Sequence, residues 1–350
     1  WACNFAGRLH GALLAAARHS LRLLGRHLDE QAVRPARSMG SHGISESVPP
    51  VPEALHFRGL QAHLQAAMPA RCAGASVGLP PEPYVAVDLP DRLVVFKPAG
   101  WEVLDQNIDG QLGSFSQMLF ADRWPILHDT SHAYGFLHRL DVRGSGLVLV
   151  AKSYSAYYDL QVQLSAGRIA RDYTVSCHGW VRPARRGISA RVQWREDAAH
   201  ASLKEEPTSA GGHGRPARTR LKVAAHGSHA GEALSLAIVR IATGRRHQIR
   251  SHLSHLGHPT LSDGKYTTSA TLHSDLGACR QHFLHRHRLA FEDMTGAARE
   301  ATAPIPAHLL VALQGFLPRD QASEAALRSL VCGFGSQNWD HCVPLAIGVP

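Results

Sequence analysis

His138-Arg139-Leu140-Asp141-Val142-Arg143-Gly144-Ser145-Gly146-Leu147-Val148-Leu149-Val150-Ala151 is the stretch on which the fold turns. It ends in a short, continuous apolar run, Leu147 to Ala151, which suits a fully buried strand. Gly144-Ser145-Gly146 is too short for a phosphate loop and reads as a tight turn entering that strand. Asp141 therefore stands between a polar His-Arg pair and a turn that leads into a buried strand. Such a position presents a side chain rigidly at the rim of a core.

Outward from this stretch, strand and helix patterns alternate irregularly. Upstream, Tyr84-Val85-Ala86-Val87 and Leu93-Val94-Val95-Phe96 are β-rich runs split by Pro90-Asp91, a strand, turn and strand. Downstream, Ala156, Leu160 and Leu164 fall at helical spacing, with Gly167 where a helix would stop. Tyr173, Val175 and Cys177 alternate with polar neighbours and mark a half-buried strand over Asp172 to Trp180. Glu205 to Arg218 is polar and turn-forming and reads as a surface loop between strands. Leu234, Leu236, Ile238 and Ile241 mark another strand. After Gly244 the period changes, because Ile249, Leu253 and Leu256 predict a helix that Gly257 and Pro259 end. Without a βαβ rhythm, a dinucleotide fingerprint or an internal repeat, the class is mixed α+β.

The domain is expected to span 84–318. Residues 1–83 read as an N-terminal extension, with linkers at Gly40 to Glu53 and Ala73 to Pro83 around a short helix at Leu60 to Ala67. From Trp1 to Leu28 there are four arginines and no acid, and Leu13, Ala17, Leu21, Leu24 and Leu28 recur at helical spacing. That is the pattern of an organellar transit segment or of a surface helix in an extension, so compartment stays open between organelle and cytoplasm. Because the chain opens on Trp1, it is expected to be a fragment or a processed product. Residues 319–350 read as a C-terminal tail without a strong pattern.

The 350 residues carry a formal charge of +9 and 24 histidines. A positive surface field favours a polyanionic partner such as nucleic acid, though a merely basic enzyme has the same balance. No apolar run approaches the ~20 residues of a membrane span, so no membrane is expected as partner. Six cysteines at positions 3, 72, 177, 279, 332 and 342 form no Cys-x-x-Cys pair, which argues against a zinc cluster or a dense disulfide framework and for a reducing compartment.

Two segments carry candidate chemistry. Asp141 is a positioned carboxylate, or an aspartate that bonds nearby backbone N–H groups. Gly244-Arg245-Arg246-His247-Gln248-Ile249-Arg250 lies at a strand-to-helix junction, where cationic and amide donors suit a phosphate or a carboxylate. Arg250, next to core-facing Ile249, can reach over the helix end and pair with a carboxylate, unless the segment is simply a solvated basic face. His252, His255 and His258 recur every three residues but lack a supporting His-Glu-x-x-His pattern, so no metal is expected.

Together these segments resemble the RluA-type family of pseudouridine synthases, which isomerise uridine in ribosomal and transfer RNA. The resemblance runs in family order from Leu93 to Gly100 (with Lys97-Pro98-Ala99-Gly100), through His138 to Asp141 with Ser145-Gly146-Leu147 and Ala151-Lys152, to the Tyr173 strand. It continues through Thr243-Gly244-Arg245, His247 to Arg250, His252-Leu253, Gly257-His258-Pro259, Asp263, Tyr266 and Leu284-His285. The resemblance implies a mixed, largely antiparallel sheet with flanking helices and a central RNA-binding cleft, no cofactor, and an RNA partner, with a monomeric chain expected.

By the same resemblance Asp141 is the essential carboxylate, Arg250 the arginine that pairs with it, and Tyr173 the aromatic that stacks on the target base and helps remove the C5 proton. Arg139 is the arginine that fills the place of the flipped uridine. Lys97, Arg245, Arg246, His247 and Gln248 are expected substrate contacts. The chain departs from the family at Val142-Arg143-Gly144, at Arg171, where a lysine is usual, and at Arg246, where a threonine is common. The competing reading is an inactive relative that only binds RNA.

Overall fold

The computed structural model describes residues 82–103, 112–120, 123–193, 209–331 and 339–346. The expected transit-like helix, the linkers and the helix at Leu60 to Ala67 lie outside the described residues, except for the end of the second linker. The elements run β1 (Tyr84–Asp88), β2 (Arg92–Lys97), α1 (Leu112–Phe120), two 3-10 helices (Pro125–His128 and Thr130–Gly135), β3 (Ser145–Ala151), α2 (Tyr154–Ser165), β4 (Ala170–His178) and β5 (Gly187–Ser189). They continue with β6 (Arg191–Gln193), β7 (Ser209–Gly211), β8 (Arg218–His229), β9 (Glu232–Ile241), α3 (Gln248–His255), α4 (Ser269–Ala278), β10 (Leu284–Glu292), β11 (Ala298–Thr302), α5 (Ala307–Gln314), β12 (Leu317–Pro318) and α6 (Gln321–Val331).

Among the described residues, ten strands make one sheet in the order β1-β2-β3-β10-β4-β9-β8-β12, with β11 on β10 and β5 on β8, while β6 and β7 pair separately. Within the large sheet only β3 and β10 run parallel. The α+β class read from the pattern, and the largely antiparallel sheet implied by the family resemblance, are therefore the observed architecture. Leu147 to Ala151 of β3 are fully buried: they pair with β2 along one side, Phe136 bridges Val150 on the other, and β10 joins β3 only at Ser145 and Gly146. The turn before it is real: the Gly144 N–H donates to the Asp141 carbonyl at 3.0 Å. Gly146 serves a different purpose from the turn assigned to it. Its φ is +125°, and a Cβ there would sit within 3.0 Å of the Arg286 backbone, so only glycine lets β3 approach β10 this closely.

The predicted helix after β3 is α2, capped by the Ser153 hydroxyl on the Ala156 N–H at 3.2 Å and stopped at Gly167 with φ +71°. The loop expected over Glu205 to Arg218 contains β7, which pairs with β6. A second apolar cluster packs Leu236 and Ile238 of β9 with Leu309 and Leu313 of α5 and Leu327 and Leu330 of α6. The segment past Pro318, patternless in the sequence, thus closes this cluster. Its helix turns Ser323, Leu327 and Leu330 inward at i, i+4 and i+7, a short amphipathic face that is missed when the segment is read as a tail.

Candidate active site

A cleft of about 780 Å³ is bordered by the segment Leu137 to Asp141, by Arg171 and Tyr173 of β4, by the junction 241–250 and by Arg286 of β10. Asp141 reaches this cleft because the neighbouring Leu140 is buried in the core and the turn that follows is tied down. Its side chain is 18% exposed, and its Oδ2 accepts a hydrogen bond from Arg250 Nη1 at 2.8 Å. The two residues read separately in the sequence are thus brought together across 109 positions.

Arg250 is itself held from behind. Its Nε and Nη2 donate to the two oxygens of Asp263 at 2.7 and 2.6 Å, a bidentate fork, and its guanidinium lies 5.0 Å from the centre of the Tyr266 ring. Asp263 has a 0% exposed side chain and also accepts from Thr260 Oγ1 at 2.9 Å and from the Lys265 N–H at 3.1 Å. His247 caps α3 in a left-handed conformation, with Nε2 at 4.0 Å from Asp141 and Nδ1 at 3.1 Å from the Tyr266 hydroxyl. Burial alone would raise the Asp141 carboxyl, but Arg250 and His247 hold it below the ordinary carboxylate value. Asp141 is ionised at neutral pH.

Two expected RNA contacts have internal duties instead. Lys97, assigned to the phosphate backbone, is 0% exposed and donates to the carbonyls of Pro98, Trp101, Val142 and Gly144 at 2.7 to 3.1 Å. An ammonium with its donors committed to main-chain oxygens has none for a phosphate. It ties the turn after Asp141 to the end of β2, while burial pushes it down to about 7. Gln248 also turns inward. Its Oε1 accepts from Thr243 Oγ1 and the Arg245 N–H, and its Nε2 donates to the Arg218 carbonyl and Thr219 Oγ1, so it fastens the strand-to-helix junction to β8. Arg139 is exposed, and Arg245 and Arg246 are part-exposed, all on the border of the cleft. Arg245 Nε donates to the Pro216 carbonyl at 3.1 Å.

Tyr173 is buried on β4, and its hydroxyl accepts from Arg286 Nε at 2.8 Å and from Arg286 Nη2. Arg286 Nη1 also donates to His138 Nδ1 at 2.8 Å, which fixes Nδ1 as the acceptor nitrogen of that ring. Arg286, Thr260 and His282 are not singled out in the sequence, and Asp263 is noted there only as a matching position, without its role behind Arg250. The signal for Arg286 is hidden because β10 buries His285, Arg286, His287 and Arg288, so its inward positions are not apolar and no strand pattern shows. The histidines spaced by three do not converge: His252 bonds Thr219 Oγ1 and the Ala190 carbonyl, and His258 bonds the His178 carbonyl.

Burial also sets an acid limit on the fold. His282 and His285 are buried, and desolvation pushes them down to about 4 and about 3. Unfolded histidines bind protons near pH 6.5. Between that value and about 4 the unfolded chain therefore holds more protons than the native one, and stability is lost as pH falls. The slope approaches about 1.4 kcal/mol per pH unit for each histidine. The urea midpoint is expected to drop clearly between pH 7.5 and pH 5; an unchanged midpoint would show that these rings protonate in place.

A family model described as RNA pseudouridylate synthase matches residues 91–255. An uncharacterized RNA pseudouridine synthase of Bacillus subtilis is 33% identical over 218 residues, 62% of this chain and 67% of that protein. The ribosomal large subunit pseudouridine synthase D of Xanthomonas campestris is 31% identical over 252 residues, 69% of this chain and 69% of that one. Against some other curated relatives the chain spans about half of their length. The solved structure of human RNA pseudouridylate synthase domain containing 1 has the same fold, with a TM-score of 0.54 at 24% identity, covering 69% of this chain and 91% of that chain. With relatives more than 30% identical over two thirds or more of their length, the chain belongs to the RluA-type family of RNA pseudouridine synthases, which are isomerases.

Proposed function

We propose that the chain converts uridine to pseudouridine in structured RNA, with Asp141 as the catalytic carboxylate. The observation that carries this reading is the Asp141–Arg250 contact of 2.8 Å at the rim of a cleft whose wall also holds Tyr173. An ionised carboxylate beside the ribose either attacks C1′ or stabilises the positive charge that develops there as the glycosidic bond breaks. Arg250 keeps it charged and aimed, and the Asp263 fork behind it limits how far it can swing.

The target base must leave its stack to reach the cleft, and the exposed Arg139 beside Asp141 is suited to fill the space it vacates. Tyr173 offers a ring to the base and a hydroxyl near the C5 proton that must finally leave. A walled cleft keeps the detached uracil from escaping while it turns to present C5. Arg245 and Arg246, on the border, take the phosphates. The name of the Xanthomonas campestris relative supports ribosomal RNA of the large subunit over transfer RNA as substrate.

The test is to incubate the full chain with ribosomal, transfer and messenger RNA and to map pseudouridine at nucleotide resolution. Conversion of a discrete uridine in ribosomal RNA is the expected result. Tight RNA binding without product in any pool would favour a binding-only protein.

A further inference from the structure

β4 and β10 lay three polar side chains together on the cleft wall. Arg171 and Tyr173 are two residues apart on one strand and so share a face, and Arg286 is the direct cross-strand partner of Tyr173. Arg171 and Arg286 are only 3% and 2% exposed. Most other deeply buried arginines have carboxylate partners: Arg92 has Asp91 and Asp159, Arg250 has Asp141 and Asp263, and Arg288 has Asp172 and Glu300. Arg286 instead bonds Tyr173, His138 and the Leu147 carbonyl. Arg171 donates to the carbonyl of Ala242 at 2.8 Å, and its Nε has no partner. Among the described residues neither guanidinium has a carboxylate within salt-bridge distance.

Two like charges buried side by side without a counter-ion are costly, and the cost is relieved by an anion that arrives with the substrate. The Arg286 guanidinium sits 4.9 Å from the centre of the Tyr173 ring and bonds its hydroxyl, so an anion drawn to it lies beside an aromatic ring, as a planar base can. A phosphate would lie at the exposed border, where Arg139 is.

We propose that Arg171 and Arg286 form a two-cation subsite for the detached uracil anion. The inference rests on the pseudouridine synthase reading above. When the N1–C1′ bond breaks, its electron pair goes to the base, whose charge spreads over N1, O2 and O4, while Asp141 balances C1′. After rotation a ring electron pair forms the C5–C1′ bond and frees Asp141. The C5 proton then leaves by way of the Tyr173 hydroxyl and N1 takes one up from solvent, so the sum is an isomerisation. Guanidiniums fixed before the bond breaks stabilise the charge without reorganising, the mode in which buried donors contribute most.

The test uses the full chain with RNA carrying either uridine or 5-fluorouridine at the mapped site, since fluorine at C5 makes the departing base a more stable anion. Arg286→Gln and Arg171→Gln are each expected to slow single-turnover consumption of uridine about 10²-fold or more, by analogy with loss of one preorganised donor. With 5-fluorouridine the loss should be about tenfold smaller, a difference of about 1.4 kcal/mol in the barrier. RNA affinity stays as in the wild type. Arg286→Lys, which keeps the charge, retains much of the rate and shows that the position tolerates change. An equal loss on both substrates would reduce the pair to a structural role, and a loss explained by weaker RNA binding would make it a phosphate contact; either overturns the subsite. A wild-type chain inert on both substrates overturns the parent reading as well, whereas normal turnover by both Gln variants overturns this inference alone.

Discussion

Asp141→Asn is expected to abolish pseudouridine formation while leaving the protein folded and able to bind RNA. The exchange is nearly isosteric and removes only the charge. An amide is a poor nucleophile and cannot balance a developing cation at C1′, so the rate should fall about 10⁴-fold or more, the scale seen when a covalent or charge-balancing carboxylate is deleted. The fold should not notice. Asp141 is 18% exposed and Arg250 keeps both bonds to Asp263, so the variant leaves no buried cation unpaired. Stability should stay within about 1 kcal/mol of wild type. The measurement is pseudouridine yield from the two proteins on one RNA, with melting and RNA-binding curves beside it. Equal yield would remove Asp141 from the mechanism, and a lower melting temperature would point to an architectural role.

The sequence makes Asp141 legible because everything around it is local. The apolar run of β3 and the turn at Gly144 lie within ten residues of it, and each has a local pattern, whereas the need for glycine at 146 comes from β10 and has none. The pairing with Arg250 is legible only by resemblance, since 109 positions separate the two residues. Lys97 shows the limit of reading charge as surface. A lysine beside Pro98 and a glycine looks like a phosphate contact until four carbonyls are found around its ammonium. The same limit hides β10, where buried histidines and arginines take the positions that hydrophobic residues would mark. Burying that much polarity works only because cross-strand partners satisfy it, as Asp172 does for Arg240 and Arg288 from both neighbouring strands.

Arg250→Met should cost both stability and activity, and a second substitution should separate the two losses. Methionine keeps the unbranched apolar stem of arginine but is shorter and deletes the fork, which leaves Asp263 as a buried carboxylate supported by Thr260, the Lys265 N–H and nearby His282. Breaking one side of a buried pair costs about 3–5 kcal/mol, because the remaining charge stays desolvated. Turnover should also collapse, since Asp141 loses the donor that orients it and holds its carboxyl ionised. In the double variant Arg250→Met with Asp263→Asn the stranded charge is gone, and most of the lost stability should return in urea unfolding. Pseudouridine formation should not return with it, because nothing replaces the 2.8 Å contact to Asp141. Recovery of both would mean that Arg250 serves the fold alone and that Asp141 works unassisted. Recovery of neither would mean that Thr260, Lys265 and His282 need the Asp263 carboxylate as much as Arg250 does. Recovery of stability alone assigns the two faces of one guanidinium to different tasks: Nε and Nη2 anchor it in the core, and Nη1 aims the carboxylate at the ribose.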